Sequence, residues 1–368
     1  MPVNNRIAIF ISFSGQGGVE RMINNLAQGF LDAGFRVDMV IARAHGEHLD
    51  SIPEGVYQVR LGTKHTWSAL PGLVRYLRSV DPAALLAVKD RAIRVAVLAR
   101  WLSGKKLRIA GRIGTTVSAA LEGKGRIRIW GWHTGMRLFY KHADKIVAVS
   151  HGVAMDIRSI TGLTESKVPT IPNPVVTQRI FTLAKEPLDQ KWFEDPDIKV
   201  IVGIGRLTRQ KDFPTLIRAF AEVRKHMNCR LIILGEGGQR QEMESLILDL
   251  GLTGDILLPG FVVNPYQWLG RSSLFVLSSL WEGSPNALTE ALALGIPVVS
   301  TNCRSGPREV LKGGKYGSLV ALGDVGSMAA AMSWTLDSPP GSDYLRGAVK
   351  DYSVQKSTTS YLEAMGLK

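Results

Sequence analysis

Arg206 and Lys211 stand five positions apart in the segment VGIGRLTRQKDF, and Glu282 and Glu290 stand eight apart in WEGSPNALTEALALGIPVVST, from Trp281 to Thr301. Two cations at the end of a strand can clamp a diphosphate and stabilise it as it departs. Carboxylates do complementary work, because they accept hydrogen bonds from the hydroxyls of a polyol. The second segment reads as loop, helix, loop, strand. Pro285 suits the first helical turn, Ser284 can cap it, and Gly295 with Pro297 ends it. Free N–H groups of the first turn, at Asn286, Ala287 and Leu288, attract an anion. At about 100° per residue, Asn286, Glu290 and Ala293 share one face, whereas Ala287, Leu288, Ala291 and Leu292 fill the opposite, core-facing one. Glu290 is therefore expected on a polar face that shares a crevice with Glu282. Such a site fits a polyol carrying a diphosphate.

Strand ends must hold these side chains, and the chain supplies them. Short β-type runs alternate with helical stretches throughout. Strands are predicted in the first half at Arg6 to Ser12, Arg36 to Ala42, Ala84 to Val88, Arg108 to Gly111 and Lys145 to Val149, with helices at Gly18 to Ala33, Leu70 to Ser79, Arg91 to Leu102 and His151 to Ile160. The second half repeats the rhythm with strands at Lys199 to Gly205, Arg230 to Gly235, Asp255 to Pro259, Leu274 to Ser278 and Pro297 to Thr301. This predicts two doubly wound α/β units, each offering ligands the carboxyl ends of its strands. IPNPVV closes the first unit, so the expected domains are 1–178 and 199–350. The polar stretch 179–198, with Pro187 and Pro196, is the expected linker, and a last helix in 351–368 is expected to pack back toward the first domain.

Glycine loops follow several of these strands. In SFSGQGGVER, Gly15, Gly17 and Gly18 let backbone N–H groups approach a phosphate or sugar, although such glycines are also commonly structural. Gly205 ends the strand before Arg206. LGEGG, containing Gly235, and LPGFVV are strand-to-loop junctions; the main chain at Phe261, Val262 and Val263 can offer groups to a nucleobase, a structural turn being the alternative.

At 368 residues and 45% apolar, the chain is long enough for two cores. Apolar runs such as Ile7 to Ile11 are strand-sized, far below the roughly 20 residues that cross a bilayer. The opening MPVNNRIAIFISFSG fits a buried strand better than a signal peptide, so a cytoplasmic location is expected. Cys229 and Cys303 form neither a metal pair nor a disulfide framework. His65, His133, His142, His151 and His226 lack ligand spacing, and Asp195-Pro196-Asp197 lies in the expected linker, so no metal site is predicted.

Residues 1–180 hold 25 Lys and Arg against 12 Asp and Glu, whereas 181–368 hold 20 of each, so the whole excess of +13 is N-terminal. Between Lys89 and Lys145, 14 basic residues face three acidic ones, interleaved with Trp101, Trp130, Trp132, Phe139 and Tyr140. Basic residues with interfacial aromatics suit an anionic membrane leaflet, and Arg126 to Lys141, which includes Arg128, is the best segment for it. A merely solvated basic face is the alternative. No nucleic-acid module signature is present, so nucleic acid is not an expected partner.

The Arg206 and Lys211 pair, the Glu282 to Glu290 spacing and the following GIPVVST resemble the retaining glycosyltransferase family 4, of GT-B fold, strongly from about Val200 to Leu311. The likeness before that is looser and rests on Gly17-Gly18, KIVAVSHGV and IPNPV. EGSPNALTEALALGIPVVSTNCRSGPREVL is similar to bacterial enzymes that extend lipid-linked oligosaccharides or surface polysaccharide repeats.

The resemblance implies two Rossmann-like domains facing a cleft, and a metal-independent hexosyltransferase without cofactor. It would move a hexose or N-acetylhexosamine, with retention, from a nucleoside-diphosphate sugar, UDP favoured, to a glycan or polyprenyl-diphosphate-linked acceptor in cell-surface polysaccharide synthesis at the inner membrane face. By the same resemblance, Arg206 and Lys211 stabilise the departing diphosphate, Glu282 holds sugar hydroxyls and Glu290 holds the ribose. Gly17, Gly18, Gly205, Gly235, Gly283 and Ser284 line the donor, and the Asn286 to Leu288 backbone caps its phosphate. Many members carry a His or a Glu-Arg dipeptide after the fourth or fifth N-terminal strand; here IAGRIGTT stands there, so Arg112, Thr115 and Lys89 are the acceptor-side candidates. Rival classes are a non-catalytic GT-B-like protein that binds sugar nucleotide or glycan, a nucleic-acid binder, and an epimerase or phosphorylase of the same fold.

Overall fold

The computed structural model describes residues 5–13, 18–44, 49 and 51–368. The chain forms two compact units, Met1–Val175 with Ser353–Lys368, and Val176–Tyr352. The first unit holds β1 (Arg6–Ile11), β2 (Arg36–Ile41), β3 (Tyr57–Arg60), β4 (Ala84–Val88), β5 (Arg108–Ile113) and β6 (Lys145–Ala148) in the order β3-β2-β1-β4-β5-β6. The second holds β7 (Lys199–Ile204), β8 (Cys229–Leu234), β9 (Ile256–Gly260), β10 (Leu274–Leu277), β11 (Val298–Thr301) and β12 (Ser318–Val320) in the order β12-β11-β10-β7-β8-β9. Every neighbouring pair is parallel. Each sheet reverses its winding once, between β1 and β4 and between β7 and β10. In open α/β sheets, ligands bind at the carboxyl ends of the strands beside such a reversal.

Parallel neighbours need crossover helices, which cover both faces and explain why the strands are apolar without alternation. In the first unit these are α1 (Gly18–Asp32), α2 (Leu70–Val80), α3 (Asp90–Ser103), α4 (Val117–Leu121), α5 (Arg126–Tyr140) and α6 (His151–Thr161). The second has α7 (Gln178–Leu183), α8 (Phe213–Arg224), α9 (Arg240–Asp249), α10 (Tyr266–Leu269), α11 (Asn286–Leu294), α12 (Pro307–Val310), α13 (Val325–Asp337) and α14 (Ser342–Arg346). The last helix, α15 (Val354–Ala364), belongs to the first unit and packs on α1 through Tyr361, Leu362 and Met365.

The fold differs from the sequence reading in three places. The stretch 179–198 is part of the second unit and not a free linker: α7 buries Ile180 in that unit's core, and Phe181, Leu183, Leu188, Trp192 and Phe193 pack against it. Its polar residues had masked these apolar anchors. Two edge strands, β3 and β12, are added. β3 is largely exposed, with Tyr57 at 67%, and so carries no apolar pattern, while β12 is only three residues long.

Candidate active site

The carboxyl edge of the second sheet is held together by backbone. Gly205 N–H donates to Leu234 O at 3.0 Å and Gly235 N–H to Gly260 O at 2.8 Å, so the ends of β7, β8 and β9 are drawn side by side. At Gly235 only glycine fits: φ is +143°, and an added Cβ would lie 2.0 Å from the Gly205 carbonyl oxygen. After β7 the chain folds into a tight turn, with Lys211 N–H donating to Thr208 O at 2.9 Å, and α8 begins after Asp212. Three bonds tie this turn to the loop after β10. Leu280 N–H donates to Gln210 O at 2.8 Å, Gln210 Nε2 to Trp281 O at 2.9 Å, and Ser278 Oγ to Lys211 O at 2.7 Å.

That stitching brings Lys211 onto Glu282, across the reversal between β7 and β10. Lys211 Nζ donates to Glu282 Oε1 at 2.5 Å, and Ser279 Oγ donates to the same oxygen at 2.8 Å. Glu282 is 7% exposed. An ammonium has three donors, so this bond leaves Lys211 capacity for an anion. Arg206 is exposed and has no carboxylate partner among the described residues. Beside them, burial, then the charge of Glu282, pushes the Cys303 thiol up to about 12, which keeps it protonated and inert.

The following helix, α11, starts one residue later than Ser284 capping requires. Pro285 occupies the cap position and makes no side-chain cap bond, and Ser284 is not the cap. The Ser284 hydroxyl is buried without a partner among the described residues. Proline takes the cap because its ψ of 94° turns the chain into the helix. The N–H groups of the first turn, from Asn286 to Leu288, have no acceptor within the helix, and such a helix start favours an anion. Gly283 is buried in the preceding loop. Glu290 is not on an exposed polar face: it is 1% exposed, and the Tyr266 hydroxyl donates to its Oε1 at 3.3 Å. Leu288, Ala291, Leu292 and Ala293 around it are also buried, so α11 is enclosed on nearly all sides. Phe261 and Val262 follow β9 in a half-buried loop that leads to Tyr266.

In the first unit, Gly18 opens α1, while Gly15 and Gly17 lie outside the described residues. Arg112 is a correction. It is 3% exposed, its Nη2 donates to Asn173 Oδ1 at 2.6 Å, and it serves the interior of β5, a strand flanked on both sides. It is not an exposed cation of the basic face. Thr115 is half-buried and Lys89 pairs with Glu20 at 3.2 Å. Arg126, Arg128 and Trp130 are exposed on α5, whereas Trp132 is partly covered, with the Arg91 and Arg94 guanidinium carbons 5.9 and 5.6 Å from its ring. Sequence reasoning missed Ser279, Gln210 and Tyr266, which position Lys211, Glu282 and Glu290. The signal for the first was the pair Ser278-Ser279 at the end of an apolar strand; Gln210 and Tyr266 gave none.

Two Rossmann-like units, with a cation–carboxylate pair at a sheet reversal beside a helix start, define a glycosyltransferase of GT-B architecture. Residues 16–179 match the family model "Glycosyltransferase Family 4" and residues 184–351 match "Glycosyl transferases group 1". The chain belongs to the glycosyltransferases that join these two domains. It is 28% identical, over 94% of its length and 93% of the relative's, to an N-acetylgalactosamine-N,N'-diacetylbacillosaminyl-diphospho-undecaprenol 4-alpha-N-acetylgalactosaminyltransferase of Campylobacter jejuni. With the lipopolysaccharide core biosynthesis glycosyltransferase LpsE of Rhizobium meliloti it shares 26% over 87% of this chain and 86% of that one. An uncharacterized glycosyltransferase of Methanocaldococcus jannaschii is 40% identical, but the match covers only 48% of this chain and 44% of that relative. Among solved structures, HepE of Anabaena in complex with UDP and glucose superposes with a TM-score of 0.81 at 16% identity, covering 99% and 100% of the two chains. The apo lipopolysaccharide outer core galactosyltransferase WaaB gives 0.73 at 20%, covering 98% and 99%. At these identities the structures speak for the fold alone.

Proposed function

We propose that this protein transfers a hexose or N-acetylhexosamine, with retention, from a UDP-sugar to a glycan or lipid-linked saccharide in cell-surface polysaccharide synthesis. The observation that carries the reading is the Lys211–Glu282 pair at the β7–β10 reversal, beside the start of α11. Arg206, the remaining donors of Lys211 and the Asn286 to Leu288 amides stabilise the departing diphosphate. Glu282, fixed by Lys211 and Ser279, accepts from donor-sugar hydroxyls, and Glu290, fixed by Tyr266, accepts from the ribose. Gly205 and Gly235 bring the backbone close to the ligand, and Phe261 and Val262 meet the base. The names of the Campylobacter and Rhizobium relatives support the acceptor class.

The test is a panel of UDP- and GDP-sugars read by thermal shift and by release of the nucleoside diphosphate. One UDP-sugar should stabilise the intact protein in proportion to the logarithm of its saturation, and Glu290→Gln should lose most of that shift. Turnover should survive a chelator, since the diphosphate is held by cations of the protein. A panel without any stabilising UDP-sugar would overturn the donor assignment, and loss of turnover with EDTA would overturn metal independence.

We also infer docking on an anionic leaflet through α5. Ile127, Trp130 and Leu138 are 86%, 67% and 54% exposed along one face of α5, next to Arg126 and Arg128. Trp101, 50% exposed at the end of α3, extends the patch through its ring contact with Phe139. No helix among the described residues is long and apolar enough to cross a membrane. The protein should sediment with phosphatidylglycerol vesicles at low salt, detach at high salt, and fail to sediment as Ile127→Glu/Trp130→Glu. Absence of sedimentation at low salt would refute the docking.

A further inference from the structure

The loop between β9 and α10 is held at both ends. At its start Gly260 O accepts from Gly235 N–H at 2.8 Å, which ties it to the edge of the sheet. At its end the Asn264 side chain makes three hydrogen bonds: Nδ2 donates to Leu183 O at 2.9 Å and to Glu186 Oε2 at 2.7 Å, and Oδ1 accepts from Tyr266 N–H at 3.1 Å. A primary amide has two N–H donors and a carbonyl acceptor, a set that aspartate, serine and threonine each lack in part. Leu183 ends α7 and Glu186 lies in the turn after it, while Ile180 anchors that helix in the core of the second unit. Arg271, beyond α10, reaches the same turn, with Nη1 donating to Ala184 O at 3.1 Å and Nη2 to Glu186 O at 2.8 Å. α10 is therefore mounted on α7 from both of its ends.

Asn264 has consequences in both chain directions. Toward the amino end, only Phe261, Val262 and Val263 separate it from Gly260, so fixing both ends leaves that main chain little freedom. Val262 packs toward the core and Val263 is 86% exposed. Toward the carboxyl end, the residue whose N–H it holds is Tyr266, and the Tyr266 hydroxyl in turn donates to Glu290 Oε1.

We propose that Asn264 is a positioning residue for the nucleotide half of the donor: it presets the Phe261 to Val263 main chain for the base and the Tyr266–Glu290 pair for the ribose, and touches neither itself. The proposal rests on the donor reading above and deepens it. A preset loop needs no ordering when its ligand arrives, whereas a loop that must be ordered on binding loses affinity. The diphosphate is held separately, by Arg206 and Lys211. Loss of Asn264 should therefore weaken all uridine nucleotides by one common factor.

Calorimetry with UDP, and displacement of UDP by UMP, tests it on the intact protein and its variants at a temperature below the lowest melting point. Asn264→Ala should weaken UDP and UMP alike, by about tenfold, and leave their ratio unchanged. Arg206→Ala/Lys211→Ala should weaken UDP more than UMP, because UMP lacks the second phosphate. Arg271→Ala removes bonds to the same turn and none to the loop, so it should lower the melting temperature and keep UDP affinity. Asn264→Asp sets a carboxylate against Glu186 and should bind UDP poorly. Adding Glu186→Gln re-forms that bond with donor and acceptor exchanged, and should recover affinity. Unchanged UDP affinity in Asn264→Ala, equal losses in Asn264→Ala and Arg271→Ala, a shifted UDP-to-UMP ratio, or no recovery in Asn264→Asp/Glu186→Gln would each overturn the assignment. Failure of the donor reading looks different: the intact protein would bind neither UDP nor UMP, and the proposal would fall with it.

Discussion

Lys211→Ala should lower turnover by about 10² or more, the scale of removing one preorganised group from a developing charge, and should also destabilise the second unit. Both losses follow from one bond. Lys211 and Glu282 side chains are only 18% and 9% exposed, and removing one member of a buried ion pair costs about 3–5 kcal/mol, because the other charge stays desolvated. Ser279 still donates to Glu282 and places the expected cost at the lower end of that range. The double variant Lys211→Ala/Glu282→Gln separates the roles, since a neutral amide no longer needs the ammonium. It should recover most of the melting temperature and none of the turnover. Recovery of both would make Lys211 a structural residue and refute its place at the leaving group.

Gly235→Ala should cost about 3 kcal/mol or more, the sum of a forced positive φ and an overpacked contact. The new methyl carbon would meet the Gly205 carbonyl at 2.0 Å, and that carbonyl belongs to the turn that presents Arg206. For a unit of this size the melting temperature should fall by roughly 10 °C. The strand ends that are bonded side by side must also part, so UDP-sugar binding should fail even below the new melting point. Gly238→Ala is the control, as an added carbon there meets nothing within 4 Å and φ is not positive. Equal melting temperatures for the two variants would refute the claim that Gly235 sets the spacing of β7 and β8.

Much of this was legible in the sequence because parallel strands are apolar throughout and are punctuated by glycine. The ten predicted strands all appear within a residue or two of their places. Edge strands were not legible, for lack of that pattern: in Tyr57 to Arg60 only Val59 is even partly buried. Arg206, Lys211 and Glu282 were recognisable as candidates, yet spacing could not show that Lys211 and Glu282 bond directly, since the contact depends on Gln210 and Ser278 stitching two loops. Arg112 misled because a charged residue in a basic segment looks solvated. Its place inside RIAGRI, a strand with neighbours on both sides, was the clue that it must be enclosed. Ser284 misled in the other direction: the usual cap residue was one position too early, and proline took the place.

The return of α15 to the first unit has a consequence for synthesis. Ile23, Leu26, Ala27 and Phe30 of α1 share a cluster with Tyr361, Leu362 and Met365, and at Gly29 an added side chain would collide with Thr358. The ribosome makes α1 near the beginning and α15 only after the whole of the second unit. At about 5–20 residues per second, that cluster stays unfinished for roughly ten seconds or more. The first unit thus emerges from the ribosome with an apolar groove open, a natural place for a chaperone to hold the nascent chain until its last helix arrives.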